Sequence, residues 1–90
     1  MSGPLKGIRV ADFSRVIAGP LASMHLADLG ADVVKIEHPV GGDDTRGYTP
    51  PDYHGLSGAF LSYNRNKRSI ALDLGVEEGR KTARALIDAA

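Results

Sequence analysis

Cysteine is absent from the 90-residue chain, which excludes disulfide frameworks, thiolate zinc clusters and thiol nucleophiles. The reducing cytosol is therefore the expected compartment. Net charge is absent as well: eleven basic side chains balance eleven acidic ones, so no long-range field gathers nucleic acid or an anionic membrane surface. No basic start followed by an apolar run of signal length occurs, and nowhere are there the roughly 18 consecutive apolar residues of a membrane helix. Neither export, nor a membrane partner, nor a nucleic-acid partner is expected.

What is present fits one small domain, since 42% apolar and 24% charged residues are ordinary for a packed globular protein. Residues 8–13 are short, apolar-rich and alternating, and predict a first strand. Pro20 suits the first turn of a helix running to about Leu29, with Gly30 as its positive-φ stop and Leu21, Met24, Ala27 and Leu29 as its apolar side. Residues 32–37, containing Val-Val-Lys-Ile, predict a second, buried strand. Strand, helix and strand within about 30 residues make a βαβ unit with parallel strands. A ligand is then expected beyond the strands' carboxyl ends, near residues 14–20 and 38–46.

Residues 38–57 are dense in Gly, Pro, Asp and Thr and read as a long, functional loop. Phe60, Leu61 and Tyr63 mark a short ordered segment whose type the pattern does not decide. Residues 69–73 predict a third strand. From residue 76 to 90 an amphipathic helix is expected, with Val76, Gly79, Ala83, Leu86, Ile87 and Ala90 on one face; no Gly, Asn or Pro follows to stop it, as though the chain were cut. The expected fold class is α/β, a Rossmann-like parallel sheet in the order β-α-β-loop-β-α, forming a partial domain.

Five separated motifs occur in order: Gly7-Ile8-Arg9-Val10, Ala18-Gly19-Pro20, the run from Leu26 to Glu37, Gly42-Asp43-Asp44-Thr45-Arg46, and the run from Asn64 to Ile70. Together, over residues 5–90, they resemble the start of a family III (CaiB/BaiF-type, formyl-CoA transferase-like) CoA-transferase. The resemblance implies that residues 1–90 are the N-terminal part of that family's CoA-binding domain. It implies an enzyme that moves CoA from an acyl-CoA to a small carboxylic acid, and a homodimer in the full-length protein. The catalytic aspartate of the family lies beyond the basic motif, so no catalytic residue is assigned here.

CoA carries a diphosphate, a 3′-phosphate, an adenine and a long pantetheine arm, and its site needs cations, backbone donors and an apolar channel. The resemblance carries the pantetheine and thioester end to Val16, Ile17 and Ala18, beside a Gly19-Pro20 turn that allows close backbone approach. It carries the nucleotide end to His38 and Leu72. Relatives have an arginine where His38 stands, and a histidine stacks on adenine or donates a hydrogen bond but does not replace a guanidinium fork. Surface loop and core are the competing readings for His38 and Leu72. Lys67 and Arg68 are candidate phosphate cations, against a solvated charge run. Arg46 has a phosphate partner or a staple to Asp43 or Asp44 as its two readings, the staple being preferred, while Arg15 is read as surface and Tyr63 as core. His25 and His54 have no carboxylate or histidine at ligand spacing, so no metal is expected.

Three rival readings remain. Glu37 ends a second strand where a nicotinamide-dependent dehydrogenase has its ribose-binding acid, yet the Gly-x-Gly-x-x-Gly fingerprint is missing after Phe13. A 2-methylacyl-CoA racemase of the same family and a stand-alone CoA-binding module without catalysis are the others.

Overall fold

The computed structural model describes residues 3–48, 50–53 and 55–90. Strand β1 (Arg9–Asp12) leads into helix α1 (Ala18–Asp28), which returns the chain to strand β2 (Asp32–Glu37). A 3-10 turn (Asp44–Gly47), strands β3 (Asp52–Tyr53) and β4 (Leu56–Ser57), and helix α2 (Gly58–Tyr63) precede strand β5 (Arg68–Ala71) and helix α3 (Glu77–Ala89). β1, β2 and β5 make one parallel sheet in that spatial order, while β3 and β4 pair antiparallel. The α/β class and the parallel three-stranded sheet agree with the sequence expectation.

Helix α1 begins at Ala18, two residues earlier than Pro20 suggests, because the first four N–H groups of a helix lack intrahelical partners and proline costs no bond among them. Its end follows the pattern. Gly30, at φ 107°, closes a Schellman motif in which Gly30 N–H donates to Ala27 O at 3.0 Å and Ala31 N–H to Leu26 O at 3.1 Å. The buried positions of α1 are Pro20, Ser23, Met24 and Ala27. Leu29 is half-exposed instead, having left the helix at its cap, and Ser23 takes an inward place because it bonds a buried carboxylate.

Ala27, Ala31 and Val33 form the apolar core, with Leu5 and Val10 packed around them. Small side chains let α1 approach the sheet closely, and burying Val33 contributes roughly 2 kcal/mol. The undecided segment at 60–63 is the helix α2, capped by the Ser57 hydroxyl at 3.3 Å from Phe60 N. The strand expected over 69–73 starts one residue earlier and ends at Ala71, although Leu72 N–H still donates to Glu37 O at 2.9 Å.

Helix α3 packs against β1 and buries only Gly79 and Ala83 among its residues, leaving Ile87 and the preceding Val76 about half-exposed. A Cβ on Gly79 would overlap the backbone carbonyl of Asp73. Alanine adds about 1 kcal/mol of helix propensity, whereas overpacking against fixed backbone costs about 1–3 kcal/mol. We therefore expect Gly79→Ala to lower the denaturation midpoint in urea despite its better helix propensity, and an unchanged or raised midpoint would show that α3 docks more loosely.

Candidate functional site

The three parallel strands end side by side, and the loops that follow enclose a cavity of about 330 Å³. Phe13, Ser14 and Arg15 come from the end of β1, Lys35 to His38 from β2, and Leu72 to Gly75 from beyond β5, with Gly42 and Asp43 closing one side. Phe13, Ile36, Leu72 and Leu74 make the wall largely apolar. This is the carboxyl-end location expected of a parallel sheet.

What holds the cavity's rim is a polar clasp built on alternate residues of β2. Period-two alternation puts Val33, Lys35 and Glu37 on one face of the strand. Val33 meets α1, and Lys35 and Glu37 reach the returning loop. Lys35 Nζ lies 2.8 Å from Asp43 Oδ2 and donates to Ser14 O at 3.1 Å, with both charged side chains fully buried. Asp43 also accepts from Thr45 N at 3.0 Å, Thr45 Oγ1 at 2.9 Å, and Val16 N at 3.1 and 3.2 Å. Its own N–H donates to Glu37 Oε1 at 2.9 Å. Arg46 grips Glu37 in a fork, at 2.6 Å and 2.8 Å, and lies 3.8 Å over the Phe60 ring, while the Ser69 hydroxyl donates to Glu37 Oε2.

These contacts set the titration of both acids. The Arg46 bonds outweigh burial and hold the Glu37 carboxyl at about 2, down from 4.5. For Asp43 burial pushes upward, but the Lys35 and Thr45 bonds together overcome it and hold the group at about 2, down from 3.8. A second network joins β1 to the chain before β5. Asp12 accepts from Ser23 Oγ at 2.7 Å and Lys67 Nζ at 3.0 Å, and from the Ser14 hydroxyl. Lys67 Nζ donates further to Pro20 O at 3.0 Å and Asn64 Oδ1 at 2.8 Å, while Arg65 and Asn66 clamp Asp28 at the end of α1.

Of the seven residues singled out by resemblance, His38 and Leu72 line the cavity. Val16, Ile17 and Ala18 are not among its lining residues; Val16 follows Arg15 and is tied to the wall through its bond to Asp43. Lys67 does not face it: the side chain is turned inward and its ammonium has three protein partners. Arg68 sits at the amino end of β5, away from the cavity, in a fork with the exposed Asp32 at 3.0 and 2.7 Å. The close approach at Gly19 is to Ser14, within the same loop. Arg46 staples the loop to Glu37 rather than to Asp43 or Asp44. Arg15 is exposed as expected and bonds Asp44, yet it also lines the cavity, as do Ser14, within the expected 14–20 segment, and Phe13 and Gly75 outside it. Glu37 is closed off by Arg46, Ser69 and Asp43, which removes it as a ribose-binding acid. His54 lies outside the described residues, and among those described no cluster of His, Asp or Glu could hold a metal. No helix is long and apolar enough to cross a membrane among the described residues.

Two measurements test this geometry. Removing one member of a buried ion pair costs about 3–5 kcal/mol, whereas an exposed pair contributes about 1 kcal/mol or less. In urea unfolding, Lys67→Met is thus expected to lose several-fold more stability than Arg68→Ala, and equal losses would contradict the inward placement of Lys67. The depressed acids fix the pH response. Their contribution is complete above about pH 5 and is lost as pH falls towards 2, on the order of 3 kcal/mol for Glu37 and about 2 kcal/mol for Asp43 by linkage. The melting temperature should accordingly fall between pH 5 and 2, and the difference between Glu37→Gln and the parent protein should vanish at the acid end; a difference constant with pH would refute the assignment.

The comparisons with known proteins agree with this architecture. The succinyl-CoA:glutarate CoA-transferases of Mus musculus and Homo sapiens are 49% and 48% identical over 83 residues, covering 92% of this chain and 19% of theirs. The succinate–glutarate CoA-transferase of Agrobacterium fabrum is 51% identical over 90 residues, 93% of this chain and 22% of its own. A CaiB/BaiF family protein from Brucella suis superposes with a TM-score of 0.92 at 45% identity, over 100% of this chain and 25% of that one. The chain thus spans about a fifth to a quarter of the length of the relatives it matches. With residues 5–90 matching the family's sequence profile and the parallel sheet superposing on a solved member, the chain belongs to CoA-transferase family III.

Proposed function

We propose that this chain supplies the N-terminal part of the CoA-binding domain of an enzyme that moves CoA from an acyl-CoA to a small carboxylic acid. The observation that carries the reading is the partly apolar cavity at the carboxyl ends of β1, β2 and β5, with His38 on one side and Leu72 on the other. Its volume of about 330 Å³ is at the low end for ligand pockets and holds part of a molecule as long as CoA. In this reading the nucleotide end lies between His38 and Leu72, and the pantetheine arm runs past Val16, Ile17 and Ala18. Arg15, whose one ion pair with Asp44 is solvent-exposed and exchangeable, is the cation on the cavity wall able to turn to a phosphate.

This reading leaves Lys67 and Arg68 out of the CoA site, because the first ties β1 to the segment before β5 and the second pairs with Asp32 at the sheet's amino edge. The nucleophilic aspartate comes from a segment outside residues 1–90 in the full-length protein, which works as a cytoplasmic homodimer. Succinyl-CoA is the donor favoured, because the relatives in mouse, human, Agrobacterium, Chloroflexus and Haloarcula all carry succinyl or succinate transferase names. Those names also favour transfer over racemisation.

Isothermal titration of the full-length protein with CoA and succinyl-CoA tests the reading. Binding is expected in the parent protein, and Leu72→Glu, which sets a carboxylate among phosphates and apolar wall, should weaken it by at least about tenfold. A parent protein that ignores both ligands, or a Leu72→Glu variant that binds like the parent, would overturn it.

A further inference from the structure

Val16 has φ 71°, a left-handed conformation that a β-branched residue adopts only against steric resistance. Such strain persists where the surroundings over-determine it. Here the surroundings are specific. The peptide groups on either side of Arg15 are gripped by one buried ion pair: Lys35 Nζ takes the Ser14 carbonyl at 3.1 Å, and Asp43 takes the Val16 N–H through both carboxylate oxygens at 3.1 and 3.2 Å. Lys35 and Asp43 are themselves 2.8 Å apart and closed to solvent, and Thr45 fixes the carboxylate with two further donors. Asp43 comes from the loop after β2, 27 residues from Val16, so two loops at the cavity's rim are locked into a single shape.

We propose that Asp43, working through Lys35, is a positioning residue for the acyl-CoA pocket, its buried carboxylate holding Val16 left-handed so that residues 16–18 keep the shape in which they meet the ligand. The inference rests on the CoA-binding reading above. It adds that the turn's shape is imposed from β2 and its following loop rather than by the turn's own sequence, which has valine where glycine would relax.

In Asp43→Asn the side chain keeps its size but loses its charge. One of its atoms becomes an amide donor, which cannot accept from both Lys35 and Val16 as the carboxylate does. The turn then samples other conformations, and apparent affinity falls with the fraction of molecules still competent. In the full-length protein, Asp43→Asn is expected to raise the Kd for CoA about tenfold and to speed hydrogen exchange at the Val16 amide by at least the same factor. Val33→Ala, which loosens the apolar core under α1, serves as the control for general destabilisation and should leave both quantities within about twofold. Should Asp43→Asn not fold, Thr45→Val removes one donor to the same carboxylate and should move both quantities the same way by about two- to threefold.

Faster exchange at Val16 with an unaltered CoA Kd would reduce the clasp to a structural tie and overturn the proposal. An equal loss of affinity in Val33→Ala would do the same, as would a Thr45→Val variant unchanged in both quantities when it stands in for Asp43→Asn. Absence of CoA binding by the parent protein is a separate outcome, seen before any variant is compared, and it removes the CoA-binding reading and this inference together.

Discussion

The ion pair between Lys35 and Asp43 is the interaction on which the carboxyl end of the sheet depends. Two charges taken wholly out of water carry a desolvation penalty of several kcal/mol each, which their attraction offsets only when the remaining donors and acceptors are satisfied. Here they are. Lys35 has Ser14 O as a second partner, and Asp43 has Val16 and both groups of Thr45. With attraction and desolvation so nearly opposed, the pair's main effect is on placement: it seats the loop after β2 against the loop after β1, and the cavity is the space left beside them.

The remainder of the site end is organised the same way. Glu37 and Arg46 anchor the loop's far side, and Asp12 and Lys67 draw the stretch before β5 towards α1. Among the described residues, the largest fully buried side chains include Lys35, Thr45 and Asp43, alongside Val33 and Pro20. No buried side-chain polar atom among them lacks a partner. Apolar packing therefore governs the α1 side of the sheet near Ala27 and Val33, and hydrogen-bonded charge governs the carboxyl end of the strands.

Local sequence signals account well for the elements. Residues 32–37 form a strand with the expected limits because Val33, Val34 and Ile36 make a short apolar run bounded by the Gly30 stop and the Pro39 turn. Helix α2, only six residues long, is too short for a helical period to emerge, so the pattern leaves its type open. Both the long loop's internal structure and the clasp were beyond reach. Lys35, Asp43 and Val16 are far apart in sequence, and nothing at any one of them announces the others. The basic run is different, since strand alternation alone separates its members. Neighbouring residues in an extended chain point to opposite faces, so Lys67 and Arg68 could not both have lined one pocket, and the structure sends the first inward and the second to solvent.

The clasp also constrains how this segment can change over generations. Replacing Lys35, Asp43, Glu37 or Arg46 singly strands a partner with its charge uncompensated, while a concerted exchange of both members of a pair meets no such barrier. Drift at these four positions should thus proceed by correlated steps, leaving partner identities linked even where the surrounding loop has been rewritten.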